Sequence, residues 1–286
     1  LTAKLGLPKL DGADAATAAE GTPGFDLKGR VNADTSGATF EDLTLDVVSA
    51  AEPQVISGKA SAVWAKAPRF DAAMTAKWLD LDFLAGSGGQ GATFVKVRQL
   101  GLAVLHSLAG DGAASAKIDL EQVKLGGEMA GGLKIDAERV GGVMKIKEMK
   151  GGLPGGARYE LSGEIKGETG ARTFDGEGLV RGTNLARLQT WMQKSGAKID
   201  LKAEGPFWVA GRLVAGENQI ELTDAKAEIA GHALSGEIKV NDKGTGDKGA
   251  GDKVTADKER STIFVRVESS KLDTVSFFPE EAVRVE

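Results

Sequence analysis

Hydrophobic and polar residues alternate along most of this chain with the period of two that is typical of strands buried on one face. Leu43, Leu45 and Val47, for example, are separated by Thr44 and Asp46. The pattern returns in a series of short segments, at residues 118–120, 133–137, 144–146, 159–165, 199–201, 209–213, 220–222, 234–240 and 263–267. It therefore predicts a mainly β protein built from many half-buried strands.

Three segments have apolar residues at helical spacing instead. Residues 78–85 have the rhythm of one or two turns, and residues 95–108 have that of a longer helix that ends at Gly110. Residues 185–194 are amphipathic and follow Asn184, which is a suitable N-cap. We expect these helices to be minor elements beside the strands.

Glycine is the most unusual part of the composition, with 40 residues against 7 prolines. Four Gly-Gly pairs separate the apolar segments in the middle of the chain. They lie at residues 126–127, 131–132, 141–142 and 151–152. Because glycine adopts positive φ without strain, we expect all four pairs to be hairpin turns.

A longer motif is written three times along the chain. Each copy has Ser-Gly, then a phenylalanine that begins the next strand, and then a leucine-containing segment suited to a short helix. The copies begin at Ser57-Gly58, Ser162-Gly163 and Ser235-Gly236, and their phenylalanines are Phe70, Phe174 and Phe264. A repeat on this scale predicts stacked units and an extended surface, and glycine inside a strand predicts a bulge or a bend.

The repeats divide the chain as follows. Residues 1–24 form an irregular start, with a strand end and then a loop, and residues 25–240 form the repeated β region. The units are roughly residues 25–110, 111–196 and 197–286. Residues 241–259 are a disordered hairpin insertion rich in Gly, Asp and Lys, and residues 260–286 hold the last strand and a short helix. The expected fold is a long, twisted, curved open sheet of repeated antiparallel units, shaped as a groove or half-barrel.

Few residues in the chain are suited to catalysis or metal binding. There is no cysteine, and His106 and His232, the two histidines, lie far apart without carboxylates at ligand spacing. Asp80 and Asp82 point apart on a helix, so we interpret them as a solvated face. The three repeated serines lack a histidine partner. We therefore expect no catalytic residues, no cofactor and no metal.

One glycine segment matches a nucleotide-binding pattern by chance. Gly86, Gly88 and Gly91 have the spacing of the dinucleotide fingerprint, and Asp111 follows twenty residues later. That fingerprint requires a buried strand immediately before it and a βαβ unit around it, and neither is predicted here. We interpret the segment as a loop.

Composition and charge narrow the class of protein further. The 286 residues are 41% hydrophobic and 27% charged, as in a globular protein, and the net charge of −5 disfavours nucleic acid as a partner. No segment approaches the roughly 20 apolar residues of a membrane span. The first residues lack the features of a signal peptide, and we expect the chain to be a segment of a longer protein.

The repeated motif resembles the AsmA family of Gram-negative envelope proteins, and in particular its alphaproteobacterial members. The resemblance is carried by Leu-Ser-Gly, a turn, Arg-x-Phe-Asp, and then Leu-Asp-Leu-Asp-Phe-Leu at residues 79–84 or Asn-Leu-Ala-Arg-Leu-x-x-Trp at residues 184–191. It extends over roughly residues 25–278. The insertion at residues 241–259 and the abundance of lysine depart from the family pattern.

This resemblance implies a non-enzymatic periplasmic segment, anchored to the inner membrane by an N-terminal helix outside the segment. The family is similar to the bridge-like lipid-transfer proteins, in which an apolar β-groove holds acyl chains. Phospholipid or another acyl lipid would be the ligand, envelope proteins would be partners, and the role would be phospholipid transport and outer-membrane assembly. The alternative is a structural β-solenoid that binds envelope proteins without lipid.

Half-buried strands need a covering for their apolar face, and acyl chains would supply one. Our candidates for the lining of such a groove are Leu133, Ile135, Tyr159, Leu161, Ile165, Ile220 and Leu222. For each of them a place in an ordinary packed core is an equal alternative, because the sequence alone does not say which strand face is inward.

Overall fold

The computed structural model describes residues 2–6, 24–48, 52–65, 67–85, 112–167, 173–194, 203–216, 219–241 and 262–268. Several sequence predictions lie outside these residues. They are the loop at residues 86–91, the helix at residues 95–108, His106, the strand at residues 199–201, the insertion beyond Asn241, and the helix expected after the last strand.

Fourteen strands account for most of the described residues. They are β1 (Thr2–Gly6), β2 (Gly24–Ala33), β3 (Gly37–Val48), β4 (Val55–Val63), β5 (Arg69–Asp80), β6 (Ala113–Leu125), β7 (Glu128–Val140), β8 (Val143–Leu153), β9 (Ala157–Lys166), β10 (Thr173–Gly182), β11 (Phe207–Ala215), β12 (Gln219–Ile229), β13 (His232–Asn241) and β14 (Thr262–Glu268). The helices are α1 (Leu81–Leu84) and α2 (Leu185–Lys194), and Pro154–Gly156 forms a 3₁₀ turn.

All fourteen strands belong to one open sheet in which spatial order follows chain order from β1 to β14. This confirms the expectation of a mainly β, open sheet with few short helices. The strands within each expected unit pair antiparallel, and a parallel pair joins the first unit to the second: β5 and β6 run in the same direction, with Arg69 opposite Ala113 and Asp80 opposite Lys124.

Pairing with β6 also changes the first helix. The pattern predicts a helix over residues 78–85, but β5 continues to Asp80 and only Leu81–Leu84 are helical. The second helix is confirmed over Leu185–Lys194, where Asn184 accepts a hydrogen bond from the backbone N–H of Arg187 at 3.0 Å. Asn184 thereby caps the helix as its sequence position predicts.

The sheet has one apolar face and one polar face. Residues directly opposite each other in an antiparallel pair share a face, so the register assigns each side chain. One row of paired residues across β3 to β7 shows the apolar face: Leu45, Ile56, Ala76, Leu120 and Leu133. Alternating residues of the other strands continue this face. The polar face is covered by exposed ion pairs between neighbouring strands, such as Lys134–Asp119 at 2.9 Å and Arg212–Asp175 at 2.8 Å.

The three Ser-Gly motifs have the same structural surroundings. In each case the strand before the motif has a register shift beside the glycine. The shift in β3 lies next to Leu43, which is opposite Gly58, and the shift in β8 lies next to Ile146, which is opposite Gly163. The shift in β12 lies next to Ala225, which is opposite Gly236. In β3 and β12 the shifted strand contains an aspartate with positive φ, Asp42 at 51° and Asp224 at 50°. Each repeat is therefore a bulged strand followed by a strand with glycine opposite the bulge.

Two of the four Gly-Gly pairs differ from their predicted role. Gly126–Gly127 and Gly141–Gly142 are hairpin turns with positive φ, as expected. The pairs at residues 131–132 and 151–152 lie inside β7 and β8. They are needed for close backbone approach, since a Cβ on Gly132 would lie 2.5 Å from the carbonyl oxygen of Leu120.

The Ser-Gly glycine of the second repeat brings two strands together on the apolar face. A Cβ on Gly163 would lie 2.5 Å from the Cα of Gly176, and a Cβ on Gly176 would lie 2.7 Å from the Cα of Gly163. The backbones of β9 and β10 are therefore closer here than a side chain at either position would allow.

We predict that Gly163→Val destabilises the protein by about 1–3 kcal/mol, because the new side chain forces β10 away. Ser162→Val is the matched control, since Ser162 is exposed and faces the other side of the same strand; we expect a change within about 0.5 kcal/mol. Urea unfolding followed by circular dichroism measures both. Equal stability of the two variants would contradict the fold at this glycine.

Candidate functional site

The register places all seven predicted lining residues on the apolar face. Leu133 and Ile135 of β7 lie opposite Leu120 and Ile118 of β6. The remaining five are assigned by their own partners: Tyr159 faces Val180, Leu161 faces Met149, Ile165 faces Met144, Ile220 faces Ala215 and Leu222 faces Leu213. Ile165 is buried and the other six are half-buried.

The seven residues form two groups on this face. Those of β7 and β9 are close together on either side of β8, whereas Ile220 and Leu222 lie on β12, beyond β10 and β11. The interval between the groups is also apolar. It is formed by Phe174, Val180, Val209 and Leu213 together with Gly176, Gly178 and Gly211. Phe174 and Val180 were not among the predicted lining residues, because Gly176 and Gly178 between them hide the alternation in β10.

Large side chains on this face lie flat across glycines. A Cβ on Gly176 would lie 2.7 Å from Cζ of Phe174, and one on Gly178 would lie 3.1 Å from Cδ2 of Leu161. Tyr159 similarly lies across Gly151, where an added Cβ would be 3.1 Å from its hydroxyl oxygen. The glycines thus accept neighbouring side chains at the places where their own Cβ atoms would otherwise stand.

Both helices cover the same end of the apolar face. Leu84 and Ala85, at the end of α1, pack against Leu79, Leu120 and Val123. The second helix packs Leu185, Leu188 and Trp191 against Leu125, Ala157 and Phe207 in a separate cluster. At this end, which we call the helical rim, the apolar residues are buried.

One hairpin anchors both helices to the sheet. Asp82 of α1 is 2% exposed, and its two carboxylate oxygens accept hydrogen bonds from the backbone N–H groups of Gly126 at 2.8 Å and Gly127 at 2.7 Å. The indole N–H of Trp191 in α2 donates to the carbonyl oxygen of Leu125 at 3.2 Å. The β6–β7 turn therefore holds the helical rim together.

The interpretation of Asp80 and Asp82 as a solvated face is wrong. Asp80 caps α1 by accepting from the backbone N–H of Phe83 at 2.9 Å, and it pairs with Lys124 at 2.9 Å. Asp82 is buried because the turn beneath α1 presents two amide groups to its carboxylate. The sequence could not show this, since the partners lie 44 and 45 residues away.

The chain has one tyrosine, Tyr159, and it lies on the apolar face. Burial disfavours its ionised form and raises the pKa of its phenol from the usual 10 to about 12. The group is therefore neutral at physiological pH.

The polar face also has a concavity, with a volume of about 800 Å³. It crosses β2 to β8 and is lined by Arg30, Asp42, Lys117, Asp119, Lys134 and Asp136. These groups pair with one another, as in Arg30–Asp42 at 3.0 Å and Lys117–Asp136 at 3.5 Å. Because its charges are matched and solvated, we place the candidate site on the opposite, apolar face.

The described residues contain no group of three His, Asp or Glu that could hold a metal ion. Ser57, Ser162 and Ser235 lie on the polar face, opposite Thr75, Glu177 and Lys226. His232 is exposed at the start of β13. Nothing in this part of the chain brings a nucleophile, a base and an acid together.

Comparison with family models, curated proteins and solved structures finds no match to this chain. The resemblance to the AsmA family therefore remains a prediction from the sequence motifs. Among the helices of the described residues, neither has the length and hydrophobicity needed to cross a membrane.

We predict that Asp82→Ala destabilises the protein by about 1–3 kcal/mol, because it leaves two amide groups under α1 without their acceptor. Amide hydrogen exchange at Gly126 and Gly127 should become faster. Asp46→Ala is the control; it removes an exposed pair with Lys28, and its effect should stay within about 1 kcal/mol. Unchanged exchange in Asp82→Ala would contradict the anchoring role.

The raised pKa of Tyr159 predicts that the folded protein becomes less stable at alkaline pH. Because its pKa is higher in the folded protein than in the unfolded chain, the unfolded chain loses the phenol proton at a lower pH. The contribution of Tyr159 to the free energy of unfolding is therefore fully present below pH 10 and falls by about 3 kcal/mol as pH rises to about 12. Tyr159→Phe should remove this part of the pH dependence. Since the chain has one tyrosine, phenolate absorbance titrates it directly, and an apparent pKa near 10 in the folded protein would contradict the burial.

Proposed function

We propose that this chain binds lipid acyl chains on its apolar face and acts without catalysis. The observation that carries the proposal is the single-layer sheet: no second sheet packs on the apolar face within the described residues. The two short helices cover the helical rim, and a third cluster of the face, around Ala137 and Ile146, is buried without a helix. Between these clusters the face includes half-buried residues such as Leu133 and Leu161. An apolar face that no second layer covers is a common feature of interaction sites.

Acyl chains suit this face on energetic grounds. Each buried CH₂ group contributes about 0.8 kcal/mol, so a lipid with two chains can offset a large area left open by a missing sheet. The flat side chains over Gly151, Gly176 and Gly178 leave a low surface on which such chains can lie. The binding would be non-directional along the face, which is consistent with a role in moving lipid.

We base the proposed cellular role on the resemblance of the repeated motif to the AsmA family. We propose a periplasmic segment of an AsmA-like protein that is anchored to the inner membrane through a helix outside this segment. There it would support phospholipid transport and outer-membrane assembly, together with envelope proteins as partners. The repeat of bulge and glycine, which extends the apolar face across the sheet, is the feature that supports this role.

We predict that the purified protein carries phospholipid detectable by mass spectrometry after solvent extraction. Removal of the lipid should lower the midpoint of thermal unfolding, since a ligand at about 100 times its Kd stabilises by about 2.7 kcal/mol. Re-addition of phospholipid vesicles should restore the midpoint.

A pair of neighbouring residues provides a matched test of the face. Leu161→Asp places a charge on the apolar face and should reduce the bound phospholipid several-fold, whereas Ser162→Asp places the same charge on the polar face and should leave it unchanged. Circular dichroism checks that both variants fold. If no lipid is extracted and native and delipidated samples unfold alike, a scaffold that binds envelope proteins replaces this proposal.

A further inference from the structure

The β6–β7 turn holds α1 through three contacts. Lys124, near the end of β6, pairs with Asp80, the N-cap of α1, at 2.9 Å. The backbone N–H groups of Gly126 and Gly127 donate to the two carboxylate oxygens of Asp82. Both glycines have positive φ, 61° and 79°, a conformation that glycine adopts without strain. The first helix is therefore attached to one short stretch of chain.

The same stretch holds the C-terminal half of α2. The carbonyl oxygen of Leu125 accepts a hydrogen bond from the indole N–H of Trp191 at 3.2 Å, and Glu128 pairs with Lys194 at 3.0 Å. Each residue from 124 to 128 thus contacts one of the two helices, in the order α1, α2, α1, α1, α2. The attachments of the helices are interleaved.

The N-terminal half of α2 has separate attachments. The backbone N–H of Leu185 donates to the carbonyl oxygen of Gly205 at 2.9 Å. A Cβ on Gly155 would lie 2.9 Å from the backbone nitrogen of Leu188, so the 3₁₀ turn lies directly against this half of the helix. Loss of the contacts with the β6–β7 turn therefore releases the C-terminal half of α2 and leaves the N-terminal half in place.

One peptide group takes part in both sets of contacts. Its carbonyl oxygen, on Leu125, accepts from α2, and its N–H, on Gly126, donates to α1. Because a peptide group is planar and rigid, a rotation that breaks one of these hydrogen bonds also misaligns the other. Hydrogen bonds at the two ends of one peptide group also polarise each other, which strengthens both.

We infer that α1 and the C-terminal half of α2 open from the sheet as one unit and form a coupled gate over the helical rim. The helices have 4 and 10 residues, so neither is stable without its tertiary contacts. Their opening uncovers the apolar end of the face, where Leu84 and Trp191 are buried. Entry of acyl chains through this opening rests on the proposed function, whereas the coupling of the helices does not.

Hydrogen exchange followed by NMR tests the coupling in the absence of lipid. Asp82→Ala removes an attachment of α1, yet the indole N–H of Trp191 in α2 should exchange about ten-fold faster. Trp191→Phe removes an attachment of α2, and the N–H of Gly127, which is bonded to α1, should exchange about ten-fold faster. An unchanged rate at Trp191 in Asp82→Ala overturns the inference.

Two controls separate the gate from a general loss of stability. The indole N–H of Trp64 donates to the carbonyl oxygen of Thr35 at 2.9 Å, at the end of the sheet away from the helices, and its exchange should not change. Gly163→Val destabilises the sheet elsewhere and should leave the exchange of Trp191 unchanged. Faster exchange of Trp191 in Gly163→Val would show global unfolding instead of a gate.

The wild-type protein provides a test that needs no variant to fold. Low concentrations of urea should accelerate exchange at Trp191 and Gly127 equally, because one opening exposes both groups. Unequal acceleration overturns the inference.

A lipid measurement distinguishes the gate from the proposed function. Delipidated Asp82→Ala should take up dioctanoylglycerol about ten-fold faster than the wild-type protein does, in proportion to its faster opening. Equal uptake rates overturn the gate and keep acyl-chain binding. If exchange is coupled and neither protein binds dioctanoylglycerol, the proposed function is overturned and the coupled opening stands.

Discussion

A sheet that is apolar on one face and forms a single layer must have that face covered, and the rest of this structure depends on how the covering is supplied. In the described residues, α1 and α2 cover the helical rim, where Leu84, Leu188 and Trp191 are buried. A further cluster around Ala137 and Ile146 is buried without a helix, and residues such as Leu133 and Leu161 are half-buried. The half-buried residues form the candidate binding surface, and the buried clusters form the structural core.

The shape of the sheet comes from the repeat. Each Ser-Gly motif sits opposite a shifted strand, and Asp42 and Asp224 take the left-handed conformation that two of these bulges require. At Gly163 and Gly176 two glycines face each other, which allows the backbones of β9 and β10 to come close. A motif without reactive groups thus has a geometric purpose: it places a glycine opposite each bulge.

The parallel pair of β5 and β6 interrupts this regular plan. It inserts β6 between the first and second copies of the motif, and β6 then forms the turn with β7 that anchors both helices. The helical rim is therefore assembled from parts of two repeats. The β6–β7 hairpin lies beneath α1, the short helix of the first copy, which explains why the buried carboxylate of Asp82 belongs to that copy.

The sequence alone determined the β class, the open and repeated architecture, helix α2 with its Asn184 cap, and the alternation that selects residues such as Leu133, Leu161 and Leu222. These features are local, because they depend on periodicity and on side chains a few residues apart. Only the tertiary structure decided that the seven residues share one face, that Gly131–Gly132 lies inside a strand, and that Asp82 is buried. Those features depend on register and on partners dozens of residues away, which periodicity does not encode.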